Sequence, residues 1–188
     1  MDNVMLDLET LSSCSNAAIV SIGAVCFDIE KQELGKTFYQ TISIDTSLEH
    51  GCVSGSTIAW WMQQSGEARK VFDQDKAISL TTALGLFSSF MQDGEERSLK
   101  VWGNGSSFDN VILANAFEST GLTAPWKFRN NRDMRTIVGL AKHWGIVHDI
   151  KRECTHHNAL DDAIFQTEVV TSLIHRMKMM ALTREESK

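Results

Sequence analysis

The first strand of the chain carries two carboxylates on one face. Residues 4–10 read Val-Met-Leu-Asp-Leu-Glu-Thr, which is an apolar run with the composition of a core strand. Because side chains alternate along a strand, Asp7 and Glu9 point to the same side of the sheet. Two like charges this close destabilise each other unless a positive charge lies between them. We therefore predict a divalent-cation site at this strand, completed by ligands from elsewhere in the chain.

Composition and length place this strand in an ordinary globular domain. The chain has 188 residues, of which 43% are hydrophobic and 22% charged, and no apolar run approaches the length of a membrane span. We predict one domain over residues 1–188, located in the cytoplasm. The formal net charge of −6 disfavours a protein that grips long DNA through its whole surface. Basic residues nevertheless cluster locally between Lys127 and Arg152.

The four cysteines are scattered along the chain as Cys14, Cys26, Cys52 and Cys154. They form no C-x-x-C pair, so neither a zinc site nor a disulfide framework is expected. For a cytoplasmic protein we predict reduced thiols.

The apolar pattern predicts three strands followed by helices and one further strand. The strands are expected at about 3–9, 18–28 and 37–42, with an irregular stretch at 45–55. A short helix with an N-cap at Ser56 or Thr57 should carry Trp60 and Trp61. Further elements are expected as helices near 76–91, 108–118, 133–143 and 158–180, and as a strand at 99–102. This order fits an α/β fold with a mixed sheet, in which an antiparallel meander continues with crossover strands and helices flank the sheet.

Three later segments carry side chains that could complete the cation site. Asp109 follows a strand and a polar turn, where α/β folds often place functional groups, although an acid there also complements a helix dipole. Asp133 lies between two arginines and is better explained as an N-cap. The third segment, at the head of the last helix, holds a double histidine and a double aspartate, and the residues alone leave open which of them face the site. These four residues are His156, His157, Asp161 and Asp162.

Taken together, these segments resemble the DEDD superfamily of 3′→5′ exonucleases, the DnaQ-like branch of the ribonuclease-H-like fold. The first family motif, D-x-E-T, matches residues 7–10, and the phenylalanine-aspartate of the second matches residues 108–109. The third motif of the histidine subtype, H-x-A-L-x-D-A, matches residues 157–163 and so selects His157 and Asp162. The likeness extends to small phage-encoded and bacterial members of this group.

The resemblance implies metal-dependent hydrolysis of the terminal phosphodiester of a nucleic acid, which releases nucleoside 5′-monophosphates. Two Mg²⁺ or Mn²⁺ ions would stabilise the attacking and leaving oxygens, and His157 would be the general base. The tyrosine subtype of the superfamily is excluded because Tyr39, the only tyrosine, is far from the third motif. The implied ligands of the two ions are Asp7, Glu9, Asp109 and Asp162.

The resemblance also implies partners and substrate contacts. The partner would be the 3′ end of a single strand or a 3′ overhang, and resemblance to RNase T adds a homodimer. DNA is favoured as substrate, with an exoribonuclease of the oligoribonuclease or RNase T type as the alternative. Two further interpretations are a catalytically dead module that binds nucleic acid and a metal-dependent phosphatase that acts on mononucleotides. Trp60 and Trp61 are adjacent on a helix, so only one of them should stack on a base. The expected contacts come from Thr10, Leu11, Trp61, Phe108, Arg129 and Arg135.

Overall fold

A computed structural model of the protein describes residues 1–92, 99–152 and 156–186. In these residues, five strands form one central sheet. They are β1 (Asn3–Thr10), β2 (Ile19–Asp28), β3 (Glu33–Thr41), β4 (Lys100–Gly103) and β5 (Asn131–Asp133). Their order in the sheet is β3-β2-β1-β4-β5. The first three strands form an antiparallel meander, whereas β4 and β5 run parallel to β1.

Helices pack on both faces of this sheet. They are α1 (Ile44–Leu48), α2 (Gly55–Met62), α3 (Leu80–Gln92), α4 (Asp109–Ser119), α5 (Met134–His143) and α6 (Ala159–Glu186). Two short 3₁₀ helices span Ala68–Phe72 and Phe128–Asn130. Within the described residues, no helix combines the length and apolar character needed to span a membrane.

The alternation of side chains along β1 sorts them into two layers. Val4, Leu6 and Leu8 join the apolar cluster formed with α3 and α4. Met5 belongs to the cluster on the opposite face, formed with α5 and α6. By the same period of two residues, Asp7 and Glu9 lie on the α6 side. The mixed sheet with helices on both faces confirms the predicted fold class.

A glycine in β2 allows the start of α6 to lie directly against the sheet. Gly23 pairs with Asp7 of β1. A Cβ atom on Gly23 would lie 2.1 Å from the carbonyl carbon of Ala159. Because this contact is far inside the van der Waals distance, only glycine permits the approach. The first turn of α6, which holds Asp162, is thereby brought against the strand that holds Asp7.

The helices differ from the sequence prediction at several places. Helix α3 begins at Leu80 rather than near residue 76, and α6 extends to Glu186 rather than to about residue 180. The short helix α1 begins at Ile44 and falls within the stretch that was expected to be irregular. Helix α2 is capped by Ser54, whose hydroxyl accepts a hydrogen bond from the Thr57 N–H, so the prediction of a cap at Ser56 or Thr57 is wrong. The predicted cap of α5 is confirmed, because the Asp133 carboxylate accepts hydrogen bonds from the first backbone N–H groups of that helix.

Cys14 and Cys52 form a disulfide, so the prediction of reduced thiols is wrong for this pair. The two segments meet because Ala17 and Cys52 form an isolated β-bridge, and the Ala18 N–H donates to the Cys52 carbonyl. The absence of a C-x-x-C motif carries no information about a pair separated by 38 positions. Cys26 is buried in β2, and Cys154 lies outside the described residues.

Candidate active site

Four carboxylates from three elements converge near the end of β1. Asp7 and Glu9 come from the strand itself, Asp109 from the first turn of α4 and Asp162 from the first turn of α6. The Leu8 N–H donates to Asp109 Oδ1 at 3.2 Å, which holds α4 against the strand. One ligand atom each of Glu9, His157 and Asp162 lies within 4.8 Å of the others.

Burial and mutual repulsion make this cluster reluctant to ionise. Burial, followed by the charge of Asp109, raises the pKa of Glu9 to about 8. Burial raises the pKa of Asp109 to about 7, although the hydrogen bond from Leu8 opposes this change. The pKa of Asp7 lies well above its usual value through burial and the charges of Asp109 and Glu9. A divalent cation relieves such repulsion, and carboxylate oxygens are the ligands that Mg²⁺ and Mn²⁺ prefer. The donor set therefore fits these ions.

His157 lies at the edge of this cluster in a constrained backbone conformation. Its φ of 64° falls in the left-handed region, which few residues other than glycine adopt. Its backbone N–H donates to Asp162 Oδ2 at 3.2 Å, and its ring packs edge-on against Trp60 with 4.8 Å between centroids. Burial, and then the neighbouring charges of His156 and Arg152, lower the pKa of His157. The imidazole is therefore neutral near pH 7, in the form that accepts a proton.

The residues that follow His157 set the direction of Asp162. The side-chain oxygen of Asn158 accepts hydrogen bonds from the N–H groups of Leu160 and Asp161, at 3.1 and 3.2 Å. This N-cap starts α6 and fixes its first turn. Ala159 and Asp162 are both buried, so the small side chain allows close packing while the carboxylate points inward. The local sequence thus explains how an acid reaches the interior of the site.

A pocket of about 310 Å³ opens beside Glu9. This volume is at the lower end of the range for small-molecule sites. Its walls come from the end of β1, the loop that follows, α2 and the residue before α4. Aromatic rings and hydroxyl groups dominate the lining, and they include Trp60, Trp61, Phe108, Ser12, Ser56 and Thr57.

Residues 2–174 match the family described as the 3′-5′ exoribonuclease Rv2179c-like domain. The chain belongs to this family. The exodeoxyribonuclease of Enterobacteria phage T4 is 28% identical, over 73% of this chain and 71% of that relative. The protein is thus a 3′-5′ exonuclease.

Solved structures share the fold of this exonuclease at low sequence identity. Cell-death related nuclease 4 (CRN-4) is 13% identical with a TM-score of 0.69, covering 93% of this chain but only 64% of CRN-4. This chain therefore spans less than two thirds of that nuclease. The nuclease domain of 3′hExo, a DEDDh family member bound to rAMP, is 14% identical with a TM-score of 0.63, covering 93% and 92%. The Mg²⁺- and Mn²⁺-bound form of S. pombe Pop2p is 13% identical with a TM-score of 0.60, covering 92% and 82%. The fold is ribonuclease-H-like.

Three of the six substrate contacts predicted for this exonuclease lie at the pocket, and three do not. Thr10, Trp61 and Phe108 line the pocket. Leu11 instead packs into a buried apolar cluster with Val20 and other residues. The expectation that Leu11 presses on a base is therefore not supported, because its side chain points into the core and only 4% of its surface is exposed.

The two arginines that were predicted to contact substrate lie in different surroundings. Arg135 Nε donates to Asn104 Oδ1 at 3.3 Å in the loop after β4, and its positive charge opposes the rise in the pKa of Asp109 that burial causes. Arg129 is exposed and lies over the ring of Phe128, with 5.8 Å from its Cζ atom to the ring centroid. Neither arginine lines the pocket.

The sequence analysis did not identify two residues that contact the carboxylates of this site. Gln166 Nε2 donates to Asp7 Oδ1 at 2.6 Å, and Arg152 pairs with Asp162. The spacing of four residues between Asp162 and Gln166 puts both on one face of α6 and was a usable signal. Arg152 belongs to the basic stretch noted in the sequence, but its position outside any helix or strand left its direction undefined.

Proposed function

We propose that this exonuclease hydrolyses the terminal phosphodiester of DNA at its 3′ end and releases nucleoside 5′-monophosphates. The observation that carries the proposal is the convergence of Asp7, Glu9, Asp109 and Asp162 with an imidazole, beside a pocket of about 310 Å³ lined by aromatic rings. Each of these groups has a distinct part in an in-line displacement at phosphorus.

The four carboxylates would hold two divalent cations, Mg²⁺ or Mn²⁺. When bound, such ions supply positive charge to the attacking and leaving oxygens of the phosphodiester. Gln166 supports this arrangement because its amide N–H donates to one oxygen of Asp7 at 2.6 Å. This hydrogen bond fixes the side-chain rotamer of Asp7 and therefore the direction of its second oxygen. The Leu8 N–H fixes Asp109 in the same way.

His157 would act as the general base that takes a proton from the attacking water. Its lowered pKa keeps the imidazole unprotonated near neutral pH. The hydrogen bond from its backbone N–H to Asp162 and the contact with Trp60 hold the ring beside the carboxylates. General bases of this kind contribute roughly 10²- to 10⁴-fold to the rate.

The pocket would receive the terminal nucleoside. Trp60 is 41% exposed and Trp61 only 3%, so Trp60 offers the larger face for stacking on a base. The indole N–H of Trp61 donates to the Thr10 carbonyl at 2.9 Å, which makes Trp61 a support for the pocket wall. Phe108 provides a second aromatic surface at the pocket.

DNA is the proposed substrate because the phage T4 relative is an exodeoxyribonuclease. The second candidate is an exoribonuclease activity. It is favoured by the family description, which names an exoribonuclease, and by the hydroxyl groups of Ser12, Ser56 and Thr57 in the pocket lining. Hydroxyl side chains can donate to and accept from a ribose 2′-OH, which is the group that distinguishes RNA from DNA.

The test uses a DNA strand and an RNA strand of the same sequence, each labelled at the 5′ end. We expect a ladder of products shortened from the 3′ end with Mg²⁺ and no products with EDTA. The relative rates on the two strands decide between the two candidates. Asp7→Ala should abolish hydrolysis of both strands, and full activity in a clean preparation of this variant would contradict the proposed site.

A further inference from the structure

The connection between α5 and α6 places a positive charge inside the carboxylate cluster. The guanidinium group of Arg152 pairs with the Asp162 carboxylate. It also lies over the ring of Phe165, with 5.2 Å from Cζ to the ring centroid. Phe165 follows Asp162 by three residues on α6, so one face of the helix holds both contacts. The charge of Arg152 also opposes the rise in the pKa values of Asp7 and Glu9, which burial and the neighbouring acids cause.

This pairing leaves part of the guanidinium group without an acceptor. Arginine has five N–H donors in a planar fork, and all of them require acceptors when they are buried. In the part of the chain that the structure describes, the buried Nε atom of Arg152 has no hydrogen-bond partner. The side chain keeps 23% of its surface exposed, which leaves a route towards solvent. The pair therefore offsets one negative charge of the site, but it leaves a hydrogen-bond donor of the guanidinium group without an acceptor.

Arg152 and a divalent cation would compete for the same carboxylate. Arginine stays protonated at all relevant pH values, so its charge cannot be removed in place. Two cations on one partly buried carboxylate repel each other strongly, because the low local dielectric screens them little. The guanidinium group therefore opposes the binding of a metal ion at Asp162.

We propose that Arg152 is the resident cation of the metal-free site and is exchanged for a divalent ion at Asp162. The proposal rests on the proposed function, because it takes Asp162 as a metal ligand. Before the ion arrives, Arg152 offsets the repulsion among the acids. When a metal ion binds, it displaces Arg152 from Asp162. The metal affinity of the enzyme is therefore set by the difference between the interaction free energies of the metal ion and of Arg152 with this carboxylate.

The exchange is tested by titrating the metal-free protein with Mn²⁺ in a calorimeter. Arg152→Gln removes the charge while keeping a planar amide, and we expect about tenfold tighter Mn²⁺ binding from the loss of one close repulsive charge. Arg152→Lys retains the charge and should bind Mn²⁺ with nearly the wild-type affinity. Lys151→Gln is the matched control, because it removes the same charge from the exposed neighbouring position and should leave the affinity unchanged.

Thermal melting distinguishes an exchanged cation from a purely structural arginine. We expect Arg152→Gln to lower the melting temperature in EDTA and to recover the wild-type value with saturating Mn²⁺. A structural role would lower the melting temperature in both conditions and would not tighten Mn²⁺ binding.

The outcomes separate the exchange from the proposed function. If the wild-type protein binds Mn²⁺ and folded Arg152→Gln binds it equally or more weakly, the exchange is wrong and the metal site stands. If the wild-type protein binds no Mn²⁺, the exchange and the proposed metal-dependent hydrolysis both fail.

Discussion

At the scale of single residues, substitution of His157 tests proton transfer separately from metal binding. Its imidazole is beside Glu9 and Asp162, yet the proposed cations require only the carboxylates. We expect His157→Ala to lower kcat by roughly 10²- to 10⁴-fold, the range for loss of a general base, while Mn²⁺ binding by calorimetry changes little. His156→Ala is the control, because His156 is exposed and should be dispensable. Equal losses in the two variants would argue against a specific role for His157.

The two adjacent tryptophans should respond to substitution in opposite ways. Trp60→Ala removes an exposed ring from the pocket, so KM should rise by roughly 5- to 150-fold, the equivalent of about 1–3 kcal/mol of stacking, while the melting temperature stays close to wild type. Trp61→Ala removes a buried ring that packs against Phe72 and donates to Thr10, so it should cost about 3–5 kcal/mol of unfolding free energy. Chemical denaturation and steady-state kinetics measure the two effects. A rise in KM for a stable Trp61→Ala variant alone would reverse the assignment.

The sequence predicted the positions of side chains that belong to a motif. It did not predict the positions of side chains whose direction depends on tertiary packing. The acids of β1 followed from the two-residue period, and the third motif selected His157 and Asp162 from two equivalent pairs. Leu11 was misplaced because a position beside a motif does not tell whether its side chain faces the pocket or the core. Arg152 was unassigned because no periodic pattern fixes the direction of a side chain in an irregular connection.

At the scale of elements, the site depends on how closely α6 approaches β2. Gly23→Ala would place a Cβ atom 2.1 Å from the carbonyl carbon of Ala159, so α6 must shift away from the sheet. We expect loss of several kcal/mol of unfolding free energy and weaker Mn²⁺ binding, because Asp162 moves with the helix. Gly85→Ala in α3 is the matched control, since a Cβ atom there meets nothing within 4 Å. It should stabilise the protein by about 0.4–1 kcal/mol.

Denaturation and Mn²⁺ calorimetry on the same two alanine variants give the comparison. Wild-type metal affinity in a folded Gly23→Ala protein would contradict the link between helix position and the site. The prediction concerns α6 alone, because α4 reaches the cluster through the separate hydrogen bond between Leu8 and Asp109.

The elements were predictable where hydrophobic period and turn chemistry agreed. The strands of the meander and the cap of α5 match their sequence signals. The three-residue strand β5 has too few residues to show a period, and it forms only because β4 offers a free parallel edge. The bridge that brings Cys52 to Cys14 depends on tertiary contacts that no local pattern records.

At the scale of the whole molecule, folding assembles a cluster of acids that the isolated chain keeps apart. The pKa of Glu9 rises from 4.5 to about 8, and that of Asp109 from 3.8 to about 7. At pH values between the unfolded and the folded pKa of each acid, the native state binds more protons than the unfolded state. The free energy of unfolding therefore falls as pH rises, and the loss is complete only above the folded pKa of Glu9.

This linkage predicts that pH and metal ions act on stability together. In EDTA, the melting temperature should fall from about pH 5 to about pH 8.5, because the native acids must ionise against one another. Mg²⁺ binds their ionised form, so its stabilisation should be larger at the higher pH. Melting curves with EDTA and with excess Mg²⁺ at both pH values measure the effect. Asp7→Asn removes one acid from the cluster, so it should flatten the pH dependence in EDTA and reduce the gain from Mg²⁺. A melting temperature in EDTA that rises with pH, or a Mg²⁺ gain that is larger at the lower pH, would mean that these carboxylates do not form a single electrostatic unit.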